Sequence, residues 1–487
     1  MNYEKPIPAQ LILDLDKDTR RKLWQWAGQV AEDYTRTVQD LPVAPELDVE
    51  SVRRWVETFT FQEHVDPLSM LKSLVPEWKR QQVHTAHPGY FGLFNPAPSQ
   101  MSIVADALVA SFNPQLAAWS HSPFAVEIER HLVRSFGSRF GYGIEETDGT
   151  LATGGAEANM TALLVALQHR WPEAAEHGVR LLPGQPTIYV SGEGHHSFVK
   201  AARAGGLGEA ALREIPVTPQ LVMDTDSLRA QIGRDKATGR EPFLLVATAG
   251  TTGAGAVDPL GELADIANAE RLWFHVDAAW GGAAAFSPQL APAVQGIERA
   301  DSITFDAHKW LSVSMGAGVF LTRHKDILSR TFGTQTAYMP REGQGLPTTD
   351  PFTHSIQWSR RFAGLKVFLS LAVAGWDGYA RVLEHQAEMG ALLRNKLVAG
   401  GWCIANETIL PVVCFNNAEC DLPLDACQKI VDAVIRSGKA WVSTILLGPA
   451  KRPAIRACIT NFRTGPQHTD LLVEQLNRAR IHVTRSL

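Results

Sequence analysis

From Thr150 to Phe320 the chain alternates strand-like runs with helical stretches, joined by short glycine-containing turns, and this rhythm constrains the fold more than any other feature. It predicts an α/β architecture with a mostly parallel central sheet, because parallel neighbours need a helix-length crossover between them. In such folds functional side chains collect beyond the strand ends, along one edge of the sheet. One expected strand end lies in Asp301-Ser-Ile-Thr-Phe-Asp-Ala-His-Lys-Trp310. Ser302 to Phe305 alternates small polar with bulky apolar residues, and Asp306-Ala307-His308 breaks the pattern just before Lys309. A lysine so placed can act as a covalent catalyst. Alone it is more often a solvated surface charge, so the reading depends on partners elsewhere in the chain.

Three upstream segments supply candidates. Arg271-Leu-Trp-Phe-His-Val-Asp-Ala-Ala-Trp-Gly-Gly282 reads as a strand ending on Asp277. A carboxylate there either meets a cation or caps a helix, and both readings stand. Further upstream, Gly154, Gly155 and Ala156 follow Thr150-Leu-Ala-Thr153 and precede an Ala/Leu-rich helical segment. Free amides at such a helix start favour a phosphate, while a plain tight turn is the alternative. Neither the Walker Gly-Lys-Ser/Thr nor Gly-x-Gly-x-x-Gly occurs there, which argues against a nucleoside triphosphate or a dinucleotide. The segment from Tyr189 to Arg203 carries His195 and His196 between a strand and a helix, where an imidazole either stacks on a flat heterocycle or is a satisfied loop residue. No further ligands follow at a spacing that zinc sites use, so no metal is expected.

Together these segments offer a Schiff-base lysine, a counter-ion for a ring nitrogen, a phosphate cradle and a stacking imidazole, which are the needs of pyridoxal 5'-phosphate. Their order and spacing resemble the fold-type I pyridoxal-phosphate enzymes, in particular the group II amino acid decarboxylases and their aromatic branch. The resemblance runs through His87-Pro-Gly-Tyr-Phe91, Trp119-Ser-His-Ser-Pro123 with Glu127 and Glu129, the glycine turn, His196 and Val246-Ala-Thr-Ala-Gly-Thr-Thr252. It continues in Val276-Asp-Ala-Ala279, His308-Lys-Trp310, Arg360-Arg-Phe362 and Ile455-Arg-Ala-Cys-Ile-Thr-Asn461.

The resemblance implies that Lys309 carries the cofactor, that Asp277 holds the pyridinium proton and that His196 stacks on the ring, with Thr248 and Ala279 flanking it. Thr153, Gly154, Gly155, Ala156 and His308 would hold the phosphate. Tyr338, on a loop after the lysine, stands where the family's tyrosine protonates the substrate carbon once carbon dioxide has left; relatives with phenylalanine there make aldehydes. The implied reaction is decarboxylation of an L-amino acid to its amine, with an aldehyde synthase, a lyase or an aminotransferase as alternatives. Phe91, Leu93, Trp119, His121 and Arg456 fall on the substrate side. Leu93, where glutamate decarboxylases carry glutamine, and Trp119 tilt the substrate toward an aromatic or otherwise apolar amino acid. Asp306 departs from the asparagine of the animal aromatic decarboxylases and puts an acidic group near the expected phosphate. Thr85 or its neighbours replace a tryptophan those enzymes place ahead of Phe91.

At 487 residues and 45% hydrophobic, the chain can bury a large core over two or three domains. The expected division is an N-terminal helical segment over 1–88, a large cofactor-binding domain over 89–375 and a small α+β domain over 376–487, the last opening with a helix over Tyr379–Val398. Leu23, Trp24, Trp26 and Val30 recur at helical spacing in the first segment, which in the family packs on a partner subunit, so a homodimer is expected. Gln335 to Thr353, rich in Gly, Pro and Thr, reads as a flexible loop or lid, with the Tyr338 loop expected to complete the neighbour's site. A net charge of −5 gives no reason to expect nucleic acid or a membrane surface as partner. The start lacks a signal-peptide pattern, and no run reaches the ~18 apolar residues that span a bilayer. Cys403, Cys414, Cys420, Cys427 and Cys458 show no Cys-x-x-Cys pair, consistent with reduced thiols in the cytoplasm.

Overall fold

Near-continuous apolar runs such as Phe243-Leu-Leu-Val-Ala247 have no polar face to offer water, and they become strands buried on both sides. The computed structural model describes residues 13–334, 348–419 and 421–485, so Tyr338 and Cys420 lie outside the described residues. Seven strands form the main sheet: β1 Asp148–Ala152, β2 Pro186–Ser191, β3 Leu212–Ile215, β4 Glu241–Thr248, β5 Trp273–Asp277, β6 Ser302–Asp306 and β7 Gly318–Thr322. Their order is β1-β7-β6-β5-β4-β2-β3. The pairs from β6 through β5, β4 and β2 to β3 are parallel. Strand β7 runs antiparallel to both β6 and β1, since the short segment 307–317 turns back without a crossover helix. The expected mostly parallel α/β sheet is therefore the one observed.

Parallel register brings the carboxyl ends of the central strands level. Thr248 on β4 stands opposite Asp277 on β5, and Asp277 opposite Thr304 on β6. The helix Gly155–Arg170 packs along the same sheet, with Ala158, Ala162 and Ala166 buried so that its axis lies close to the strands.

A second, antiparallel sheet contains β8 Trp402–Ile404, β9 Val412–Asn417, β10 Ser443–Leu447 and β11 Arg452–Cys458 in the order β10-β11-β9-β8. Leu393, Leu397, Ile430, Val434, Leu472 and Leu476 from three helices fill its covered face. The first of these helical stretches spans Gly364–Ala399, and its arm after Gly375 contains the expected Tyr379–Val398. Gly375, at φ 65° and ψ 169°, leaves the helical region, so the stretch is two helical arms joined at a kink. Gln386 on this helix is fully buried and uses both ends of its amide. Its Oε1 accepts from Trp310 Nε1 at 2.6 Å, and its Nε2 donates to the Thr460 carbonyl at 2.6 Å.

The helices Lys17–Thr37, Val49–Glu57 and Pro67–Arg80 are capped by Asp16, Asp48 and Asp66, yet none of the three buries a residue in its own chain. Trp24 and Trp78 are 59% and 61% exposed, an unusual state for indoles on an isolated surface. Among the described residues no helix is long and apolar enough to cross a membrane.

Candidate active site

The level strand ends open a cavity lined by Gly155, Ala156, Asn159, His195, Thr248, Gly250, Thr252, Asp277, Ala279, Trp280 and Lys309. It gathers residues from five separate segments, as the strand-edge expectation requires. Asp277 is nearly buried there, with Oδ2 accepting from Asn159 Nδ2 at 2.8 Å and Oδ1 from the Ala279 amide at 3.2 Å. Asn159 Nδ2 also donates to Ser197 Oγ at 2.8 Å, so its Oδ1 is left to face His275 Nε2 at 3.2 Å. Burial lowers the His275 pKa to about 4, which makes the ring neutral at ordinary pH. The neutral ring then carries its proton on Nε2, toward Asn159, and accepts at Nδ1 from Ser302 Oγ, 2.8 Å away. Trp273 Nε1 donates to the same hydroxyl at 2.8 Å. This chain of buried groups fixes the asparagine amide, and through it the carboxylate.

At the next strand end, Lys309 Nζ lies 3.0 Å from Asp306 Oδ2. The same oxygen accepts from the Gly155 amide at 3.0 Å, so Asp306 binds the first turn of the Gly155–Arg170 helix from across the sheet. A Cβ at Gly155 would stand 2.9 Å from that oxygen and 3.3 Å from Ala279 Cβ, which is why a residue without a side chain occupies the turn. His308 is buried with its pKa lowered by burial, and its Nδ1 accepts from the Ala317 amide at 3.2 Å. Its Cε1 lies 3.5 Å from where a Gly154 Cβ would be. Thr153 is turned aside: its amide and hydroxyl both donate to Glu157 Oε2, at 2.9 and 2.7 Å, and it lines a neighbouring cleft with Met315, Gln357 and Arg360.

Several expected residues stand elsewhere, His196 and Phe91 first among them. His195, not His196, lines the cavity; the helix Ser197–Ala204 starts one residue later, making His196 its N-cap residue, while His195 Nδ1 accepts from the Ser197 amide. Phe91 is wholly buried in the core beneath the second sheet, because its backbone is sewn between Trp441 and Cys458, at 2.9 Å on either side. The aromatic that reaches the site region is Phe94, stacked on Trp280 with centroids 4.5 Å apart and planes 16° apart. Leu93, Trp119 and His121 do not line the Lys309 cavity of their own chain. Trp119 Nε1 instead donates to Glu127 Oε1 at 3.0 Å, and its amide to Asp350.

Arg456 projects from β11 to the cavity wall. Its Nε donates to the carbonyls of Thr252 and Gly253, its Nη1 to Gly92 at 2.8 Å, and the guanidinium lies 5.1 Å from the Phe94 ring. Nη2 and Trp280 Nε1 are both buried without an acceptor among the described residues. Behind the site, Glu129 pairs with Arg360, both buried, and also accepts from the Gly364 amide at 3.1 Å. Sequence reasoning missed Asn159 and Trp280, though both lie inside segments that drew attention. The apolar spacing around Asn159 on its helix was the available signal for a polar group aimed inward.

The family model described as the pyridoxal-dependent decarboxylase conserved domain matches residues 53–418. An aromatic-L-amino-acid decarboxylase of Bacillus atrophaeus is 31% identical, covering 93% of this chain and 93% of its own length. The cysteine sulfinic acid decarboxylase of Homo sapiens is 31% identical over 66% of this chain and 64% of its own. Among solved structures, Oryza sativa TDC with PLP and tryptamine superposes with a TM-score of 0.89 at 23% identity, covering 96% of this chain and 99% of that one, a likeness of fold.

Proposed function

The chain belongs to the pyridoxal-dependent decarboxylases, and on that premise we propose that it converts an aromatic or otherwise apolar L-amino acid to the corresponding amine and carbon dioxide. Its cofactor is pyridoxal 5'-phosphate. The residues at the strand ends suit that group: a lysine and a carboxylate open into one cavity, an imidazole lines it, and a glycine turn leaves helix amides approachable. Bound there, the cofactor supplies a conjugated ring that takes up the electrons released when the carboxylate departs.

In this reading Lys309 is the attachment point, and Asp277 is the acceptor that keeps a proton on the ring nitrogen. Asn159 and Ala279 hold both oxygens of Asp277 in place for that role. His195 takes the stacking position first assigned to His196, with Thr248 and Ala279 beside the ring. Gly154, Gly155, Ala156, His308 and the backbone near Thr153 hold the phosphate. Arg456 has one donor left for a substrate carboxylate, and orienting that carboxylate selects which bond breaks. Tyr338 is proposed as the donor to the substrate carbon. The observation that carries the substrate class is the Phe94–Trp280 stack, which backs the cavity with an apolar wall through Trp280.

We propose further that the protein is a cytoplasmic homodimer, divided at 1–88, 89–375 and 376–487. The unburied N-terminal helices support the dimer, as do Leu93, Trp119 and His121, which do not line the cavity of their own chain and would complete a neighbour's.

The test is carbon dioxide release from a panel holding tryptophan, tyrosine and phenylalanine against aspartate, glutamate and cysteine sulfinate, with products identified by mass. Amine from an aromatic substrate is expected, abolished by Lys309→Ala and diverted toward aldehyde by Tyr338→Phe. Release chiefly from an acidic substrate would overturn the substrate class, and aldehyde from the unaltered enzyme would overturn the reaction.

A further inference from the structure

We propose that Asp306 competes with the cofactor's phosphate: its carboxylate already occupies a helix-turn amide and the catalytic lysine, so cofactor loading displaces an internal anion. The proposal rests on the reading that the Gly154–Ala156 turn and Lys309 form the cofactor site.

The geometry around Asp306 is that of a built anion site. Its Oδ2 takes the Gly155 amide and Lys309 Nζ, each at 3.0 Å. Those are a first-turn helix donor and a cation, the groups that otherwise attract a phosphate. Glycines stand on both sides of the carboxylate: a Cβ at Gly155 would come 2.9 Å from Oδ2, and one at Gly318 would come 2.8 Å from Oδ1. Room has thus been left for the acid and for nothing larger.

Asp306 is 1% exposed, and its Oδ1 is buried with no donor among the described residues. A buried carboxylate with one oxygen unsatisfied is costly to hold. His308 Nε2 is the other basic group near it, 3.9 Å from Oδ2. An incoming phosphate therefore meets a like charge in low-dielectric surroundings and must share or take its donors. Asparagine at this position would keep the shape and an oxygen for the Gly155 amide while removing the charge.

The experiment compares binding of pyridoxal 5'-phosphate and of pyridoxal, the same aldehyde without phosphate, to cofactor-stripped full-length protein. Quenching of tryptophan fluorescence is a suitable readout, since Trp280 lines the cavity. Asp306→Asn should tighten the phosphorylated aldehyde about tenfold or more while leaving pyridoxal within about twofold, the difference that one like-charge contact makes. Asp306→Ser, which also removes the charge, should reproduce the selectivity if the asparagine variant folds poorly. Unchanged or weaker binding of the phosphorylated aldehyde in both variants would overturn the proposal and make Asp306 a structural cap. Equal tightening of both aldehydes would also overturn it, assigning the residue to Lys309 alone. If neither aldehyde quenches the unaltered protein saturably, the cofactor-site reading itself fails.

Discussion

Strands β5 and β6 lie side by side, run the same way and each end on a buried aspartate, yet the two carboxylates are treated differently. Asp277 has both oxygens held by neutral donors, Asn159 Nδ2 and the Ala279 amide, and faces a cavity. Asp306 has one oxygen against Lys309 and the Gly155 amide, and the other without a hydrogen-bond donor among the described residues. A charge held by dipoles alone is available to a cation from outside, whereas a charge already paired is spent within the protein. The lesson is that two acids at equivalent places in a fold are distinguished by who satisfies them.

A third buried acid sets the scale for this contrast. Glu129→Ala strands the Arg360 guanidinium, whose pKa burial already lowers to about 10. It should cost about 3–5 kcal/mol of stability in a denaturant titration, more than either strand-end acid, because both partners are internal. Asp277→Asn should leave the unfolding midpoint nearly unchanged and lower carbon dioxide release by about 100-fold, the usual loss when one preorganised electrostatic contact is removed. A large stability loss for Asp277→Asn instead would erase the distinction drawn above.

Acid sharpens the comparison next. His275, which fixes Asn159 from behind, has a folded pKa lowered from 6.5 to about 4, so between those values the unfolded chain takes up the proton first. Its contribution is complete above pH 6.5 and is lost as the pH falls toward 4, on the order of 2 kcal/mol. Thermal unfolding of His275→Gln should accordingly lose less stability than the unaltered protein between pH 7 and 4.5, measured in parallel. The smallest effect is expected for Asn159→Ala: about tenfold weaker cofactor retention by absorbance, since Asp277 keeps the Ala279 amide.

Features encoded locally were legible before any coordinates. The alternation from Thr150 to Phe320, the break before Lys309 and the glycine turn into a helix each follow from a few adjacent residues, and each appears in the structure. Features set at long range were not. Whether His195 or His196 faces the cavity depends on where the next helix starts, a shift of one residue. Phe91 became core because the remote backbone of Trp441 and Cys458 closes over it, which no neighbouring residue announces. The helical spacing around Asn159 marks it as inward-facing, but its role shows only in its partners, His275 and Asp277, on another element. Tyr338 lies outside the described residues, and its place on a loop or lid stands as an expectation.

Gln386 carries a consequence for how finely the two sheets are set against each other. One end of its amide grips Trp310, the residue after the lysine, and the other grips Thr460, just past the strand that bears Arg456. The amide is thus a ruler of fixed length between the group proposed to anchor the cofactor and the group proposed to steer the substrate. A displacement of about one ångström between such groups can change a reaction rate a hundredfold. The tolerance of the whole two-layer assembly is therefore held by a side chain that touches neither cofactor nor substrate, and a residue shorter by one carbon would miscalibrate it.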